Sequence, residues 1–166
     1  DDAATKSDGN IFAKANYQLL DNLSVYGDLQ LRNVHYKTDS NDTGLVNDNF
    51  NFFNPKAGLT FDVNEKNALY FSYARANREP SRTDYKNGSP KPEKLNDYEL
   101  GWRHVSEKVK WNTNMYYMGY KDQLVLTGEL DDVGNPIRAN VGKSYRLGSE
   151  VEAVYYVAKE LTMQIN

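Results

Sequence analysis

The sequence predicts an all-β chain of about eight antiparallel, up-and-down meander strands, forming an arc of a large transmembrane β-barrel. Three observations carry this. Apolar and polar residues alternate with period two along most of the chain. Short and long connections alternate strictly between the alternating segments. Aromatic rings gather towards both ends of one face.

The first strand places Ile11, Ala13, Ala15, Tyr17 and Leu19 opposite Phe12, Lys14, Asn16, Gln18 and Leu20. After Asp21-Asn22 the second sets Leu23, Val25, Leu29 and Leu31 against Ser24, Asp28, Gln30 and Arg32. The third sets Phe53, Ala57, Leu59, Phe61 and Val63 against Asn54, Lys56, Thr60 and Asp62. The fourth, over residues 69–77, has less distinct faces, with Leu69, Phe71 and Tyr73 on one of them. The fifth separates Tyr98, Leu100 and Trp102 from Glu99, Gly101 and Arg103. The sixth separates Val109, Trp111, Met115 and Tyr117 from Lys110, Asn112 and Asn114. The seventh divides Tyr145, Leu147, Val151, Tyr155 and Val157 from Arg146, Glu150 and Glu152. An eighth begins at Leu161, Met163 and Ile165 and stops in mid-pattern at Asn166, as expected of a segment of a longer barrel.

Turns at Asp21-Asn22, 63–67, 106–108 and 158–160 read as tight, whereas 39–51, 79–94 and 128–136 read as long polar loops. All tight turns then lie at one end of the sheet, the asymmetry of outer-membrane barrels. The paired arms exceed the ~5–6 residues of a globular strand and approach the ~9–11 that cross a bilayer at a tilt. Tyr17, Phe61, Trp102, Trp111 and Tyr155 stand near tight turns, and Phe53, Tyr73, Tyr117 and Tyr145 near the long loops. Two such girdles bound the apolar band of a lipid-facing wall. Rings filling the core of a soluble β-sandwich give the same parity, so alternation alone leaves both architectures open.

Composition narrows the class. Of 166 residues, 39% are apolar and 13% aromatic, which argues against a disordered chain, and thirteen tyrosines suit an oil–water boundary. A net charge of −3 without a basic face gives no footing for nucleic acid. A mean hydropathy of −0.78 and the lack of a ~20-residue apolar run leave a barrel open, because barrel strands average out as hydrophilic. With no cysteine, a disulfide scaffold and a thiolate metal site are excluded. His35 and His104 are far apart and neither has metal spacing, and no nucleophile elbow, phosphate loop or dinucleotide fingerprint occurs. No catalytic residue, metal site or cofactor is expected, and the chain is not read as an enzyme.

Four stretches together resemble the barrels of TonB-dependent outer-membrane receptors and cover most of residues 52–153. They are Asn54-Pro55-Lys56-Ala57-Gly58-Leu59-Thr60; Leu69 to Arg75 with Arg78-Glu79-Pro80; Pro92 to Gly101 with its glutamate-x-glycine; and Arg146-Leu147-Gly148-Ser149-Glu150-Val151-Glu152. Ser149 departs from the apolar residue usual there. The resemblance implies that residues 1–166 are part of an outer-membrane barrel wall, without the plug domain, the TonB-binding segment and the closing C-terminal strands. It implies membrane lipid, the receptor's own plug, TonB and a small nutrient (siderophore, haem, cobalamin or glycan) as partners. Lys14, Asp28, Arg32, Lys56, Glu99, Arg103, Glu150 and Glu152 would then face the lumen and the plug. Arg78, Arg82, Tyr85 and Lys86, in the middle loop, would meet the ligand through arginine forks and an exposed tyrosine ring. A passive or adhesive barrel without energy coupling, and a soluble β-sandwich binding module, stand as the alternatives.

Overall fold

The computed structural model describes residues 3–86 and 88–166. Among these, eight strands run β1 (Ala4–Leu20), β2 (Leu23–Ser40), β3 (Gly44–Asn64), β4 (Asn67–Arg78), β5 (Glu93–Val105), β6 (Val109–Leu130), β7 (Pro136–Ala158) and β8 (Leu161–Ile165), with one short helix, α1 (Arg82–Tyr85), between β4 and β5. They form one sheet in sequence order, every neighbouring pair antiparallel. The described residues contain no second sheet, so the sandwich is excluded. Leu29, Leu59 and Val151 would face each other across a sandwich core; instead they are 53%, 41% and 38% exposed.

The register joins the apolar positions into continuous rows. Leu29 lies opposite Pro55, Leu59 opposite Phe71, Phe71 opposite Leu100, and Leu100 opposite Met115. None of the described residues covers this face, and most of the 32 exposed large apolar side chains lie on it, a patch far beyond what a soluble monomer tolerates. Lipid is the solvent that makes such a face stable.

Both girdles are present. At the tight-turn end the Trp102 and Trp111 rings lie 6.4 Å apart, with Trp102 Nε1 donating to Asn67 Oδ1 at 3.2 Å and Trp111 Nε1 donating to Thr113 Oγ1 at 2.7 Å. Each indole thus keeps its N–H satisfied while its body stays apolar. At the other end Tyr73, Tyr98, Tyr117 and Tyr145 run side by side at 5.1, 6.4 and 6.0 Å. Tyr145 and Tyr155 lie on the same strand. Their spacing of ten residues is about 33 Å of strand, or about 23 Å of membrane normal at a 45° tilt, close to the height of a barrel's apolar band.

The long connections depart from expectation. Residues 39–51 and 128–136 read as loops, yet β2 pairs with β3 up to Ser40–Gly44, and β6 continues to Leu130. Only 41–43 and 131–135 turn; Asp131 Oδ1 accepts from the Val133 and Asn135 amides at 3.1 and 2.7 Å. These Asn/Asp-rich arms project beyond the girdles, where Asn47, Asn49 and Asn51 replace apolar residues on the outer face, so alternation vanishes while the backbone ladder continues. Among the described residues, only those between β4 and β5 form a long irregular connection.

On the inner face, tyrosines lie over glycines of the next strand. Tyr26 pairs with Gly58, Tyr70 with Gly101 and Tyr116 with Gly148. A Cβ at Gly58 would stand 2.3 Å from Tyr26 Cε1 and 2.9 Å from the Phe71 carbonyl oxygen; one at Gly101 would stand 2.0 Å from Tyr70 Cζ. The ring covers backbone that glycine leaves bare, an aromatic rescue within the sheet. Arg103 then lies over the Tyr70 ring at 4.3 Å.

These contacts predict that Gly58→Val destabilises the barrel by about 1–3 kcal/mol through overpacking against fixed backbone. Gly27→Ala, where a Cβ meets open space, should be within about 0.5 kcal/mol of wild type. Urea unfolding of the full receptor in detergent, followed by heat-modifiable gel mobility, checks both; equal midpoints would exclude the close-approach role of Gly58.

Candidate functional site at the mouth of the inner face

Backbone pairing aligns the polar residues before any side chain acts. Asp28 lies opposite both Lys14 and Lys56, Glu99 opposite Tyr116, and Arg103 and Glu152 both opposite Asn112. The eight expected lumen residues therefore share one face, in two groups and one outlier. Lys14 pairs with Asp28 at 3.3 Å, and with Lys56 they line a cavity of about 280 Å³. Glu99, Arg103, Glu150 and Glu152 form a separate group on β5 to β7. Arg32 belongs instead to the mouth.

There the 79–92 segment folds over the inner face of β2 and β3. Tyr85 is buried at 6% exposure, stacked on Tyr36 at 5.5 Å, and its hydroxyl donates to Asp48 Oδ2 at 2.7 Å. The exposed ring expected at Tyr85 is therefore a buried anchor, because folding the segment inward brings its apolar ring against Tyr36 and Val46. Burial, followed by the Asp48 carboxylate, raises the Tyr85 phenol well above its usual range.

Glu79 forms the second anchor. Its carboxylate accepts from Arg32 Nη1 and Nη2, both at 2.9 Å, and from Lys6 Nζ at 2.7 Å, while Arg32 also grips Asp8. Burial pushes the Glu79 carboxyl upward, but Lys6 and Arg32 outweigh it and hold it below its ordinary value of 4.5. On the opposite flank, Asn140 Oδ1 accepts from the Lys91 amide at 2.7 Å and Asn140 Nδ2 donates to the Lys91 carbonyl at 3.0 Å. The segment thus bridges from β2–β3 to β7.

The four expected ligand residues do not converge on one point. Arg78 pairs with Glu93 at 2.9 Å, and Lys86 with Asp42 at 2.7 Å. Arg82, half-buried at the start of α1, has no ion-pair partner among the described residues. Asp84, buried at 5%, accepts from the Ser81 amide and hydroxyl at 2.7 and 2.6 Å and stands 4.0 Å from Arg138. Sequence reading missed Lys6, Asp8, Tyr36, Asp48, Glu79 and Asn140, the residues that seat the segment. Pairing of residues as far as 73 positions apart leaves no local trace in the sequence.

A sheet with one lipid-facing side, two aromatic girdles and an inward-folded outer segment defines the wall of an outer-membrane β-barrel. The chain belongs to the TonB-dependent receptor-like β-barrel family, whose family model matches residues 1–166. No curated protein sequence matches. Among solved structures it is similar to a copper transporter, OprC, with 18% identity and a TM-score of 0.81, covering 94% of this chain and 27% of that one. It is also similar to the FrpB iron transporter from Neisseria meningitidis (19%, TM-score 0.73, 93% of this chain and 24% of that). A third is the alcaligin outer-membrane receptor FauA from Bordetella pertussis (17%, TM-score 0.71, 94% and 28%). The chain spans about a quarter of the length of these structures. Barrels of this family lie in the outer membrane of Gram-negative bacteria and are receptors and transporters, not enzymes.

Because the folded-state Glu79 carboxyl sits below 4.5, its contribution is complete above that value and is lost as pH falls through the lowered one. The protection factors of the amides of residues 79–86 in the full receptor, corrected for the intrinsic exchange rate at each pH, should therefore be high at pH 7 and fall as the pH drops below 4.5. Glu79→Gln should give the lower protection already at pH 7, from an undocking cost reduced by about 1–3 kcal/mol, below that of a wholly buried pair because Arg32 keeps Asp8. Identical exchange in both proteins at pH 7 would exclude the anchor.

Proposed function

We propose that this chain is part of the wall of a receptor that takes up a scarce nutrient, most suitably a metal carried as an anionic chelate, with the drive supplied through TonB. The plug domain, the TonB-binding segment and the remaining strands would belong to the rest of the parent protein. The observation that carries this reading is the inward-folded 79–92 segment, seated over the inner face at the end where ligand must enter. It carries Arg82, flanked in sequence by Arg78 and Lys86, each held in its own ion pair. Guanidinium forks suit carboxylate, hydroxamate and catecholate oxygens. Tyr85 would act by holding the segment rather than by touching ligand.

Beneath the mouth, Lys14, Asp28, Lys56, Glu99, Arg103, Glu150 and Glu152 offer mixed charge to a plug. Exposed pairs of this kind are individually weak, about 0–1 kcal/mol, which suits a contact that must yield during transport. The similar structures, a copper transporter, an iron transporter and an alcaligin receptor, support a metal cargo.

The test uses the full-length receptor in a Gram-negative host lacking its own siderophore receptors, with radiolabelled iron bound to a hydroxamate or a catecholate siderophore. Accumulation of one of them should require tonB and collapse with an uncoupler. Arg82→Ala combined with Arg78→Ala should weaken cell-surface binding by about tenfold or more. Accumulation unchanged in tonB-deficient cells would overturn energy coupling in favour of a passive barrel. Binding of neither chelate would overturn the cargo.

A further inference from the structure

The lipid-facing side carries a cationic row that neither the fold nor uptake requires. Just above the tyrosine girdle, at the long-connection end, Lys94 lies directly opposite Lys121, and Lys121 directly opposite Lys143. Three like charges on three adjacent strands, about 5 Å apart at the backbone, oppose sheet formation. None of them forms an ion pair with a carboxylate among the described residues. One row below, Arg75 pairs with Asn96, and the Arg75 Nε is buried without a hydrogen-bond partner.

The ground beneath the lysines is shaped. Gly119 lies between Asn96 and Tyr145 in the register and leaves a hollow. With Tyr98, Tyr117, Lys121, Lys143 and Tyr145, it lines a cavity of about 550 Å³ open to the membrane side. A second hollow, of about 330 Å³, lies between Arg75 and Lys94. The tyrosine row forms a shelf under the first, and Tyr73 in that row is held in place by donating to Asn96 Oδ1 at 2.9 Å.

We propose that this patch binds the phosphorylated head group of an outer-leaflet lipid, with Lys94, Lys121, Lys143 and Arg75 meeting its phosphates and the tyrosine shelf meeting its sugar and upper acyl carbons. The membrane position decides the occupant. In this family the long connections face outward, so the row lies at head-group depth in the outer leaflet. There an anionic phosphate layer turns mutual lysine repulsion into complementarity. Lysine stems reach along apolar surface while the ammonium stays at the polar boundary, and tyrosine rings straddle the same boundary. The inference rests on the family and its orientation, and is independent of the cargo.

The experiment is native mass spectrometry of the full-length receptor, delipidated and titrated with bis-phosphorylated glucosamine-disaccharide lipid (lipid A). The same titration is run with its dephosphorylated form and with inorganic phosphate. Wild type should retain the bis-phosphorylated lipid. The triple variant Lys94→Gln, Lys121→Gln, Lys143→Gln should lose affinity on the order of a hundredfold, while the corresponding Lys→Arg variant keeps it. Removing repulsion should leave folding intact, checked by heat-modifiable mobility; if the triple variant fails that check, Lys121→Gln alone is read, with about a fivefold loss expected. Equal retention by wild type and the Gln variant overturns the proposal. So does equal binding of the dephosphorylated lipid, or binding of inorganic phosphate as tight as that of the lipid.

Discussion

In hydrocarbon, a backbone amide or carbonyl without a partner costs several kcal/mol, so every strand crossing the bilayer must be paired along both sides. That constraint sets the rest of this structure. It requires long, unbroken antiparallel ladders, and β2–β3 and β6–β7 supply them over eighteen and more residues of each strand. It also makes side-chain parity strict, since a register slip of one residue would exchange the lipid and lumen faces. β1 and β8 keep one unpaired edge within this chain, the edges that further strands of a closed barrel would fill.

The two faces then solve different problems. Outward, the apolar rows are ended by rings whose polar tips are satisfied locally, as with Trp102 on Asn67 and Trp111 on Thr113. Inward, the chain must pack without a hydrophobic core, and it does so with tyrosines laid over glycines and with ion pairs. The glycines of the family-like stretches, Gly58, Gly101 and Gly148, are the places where a neighbouring ring occupies the space of a Cβ. What reads as a motif in sequence is a steric complement in the sheet.

Among the described residues, the one cluster of buried apolar side chains lies where the segment between β4 and β5 meets the upper ends of β2 and β3. Tyr36, Val46 and Tyr85 form a small cluster there. The segment is therefore held by two different forces, ring burial at one end and the Glu79 ion network at the other. A hydrophobic contact is insensitive to pH across the neutral range, whereas the carboxylate network is not. Acid therefore weakens the Glu79 end of the segment first, while the Tyr36–Tyr85 stack remains.

Period-two alternation was enough to determine strand number, direction and the membership of each face, because pairing in a meander is between sequence neighbours and parity is local. The tight turns at 21–22, 65–66, 106–108 and 159–160 were legible for the same reason. The arms above the membrane were not, since Asn and Asp on both faces erase the alternation although backbone pairing persists. Nor could parity say that the apolar side faces lipid; the single uncovered sheet decided that. The seating of 79–92 lay beyond any local pattern, because Lys6, Arg32, Asp48 and Asn140 are brought to it from four strands. The same holds for the lysine row, whose members are 27 and 22 residues apart in sequence and become neighbours only through the inter-strand register. Local chemistry determined which residues each strand offers to either side; which of them meet across strands was decided by the sheet.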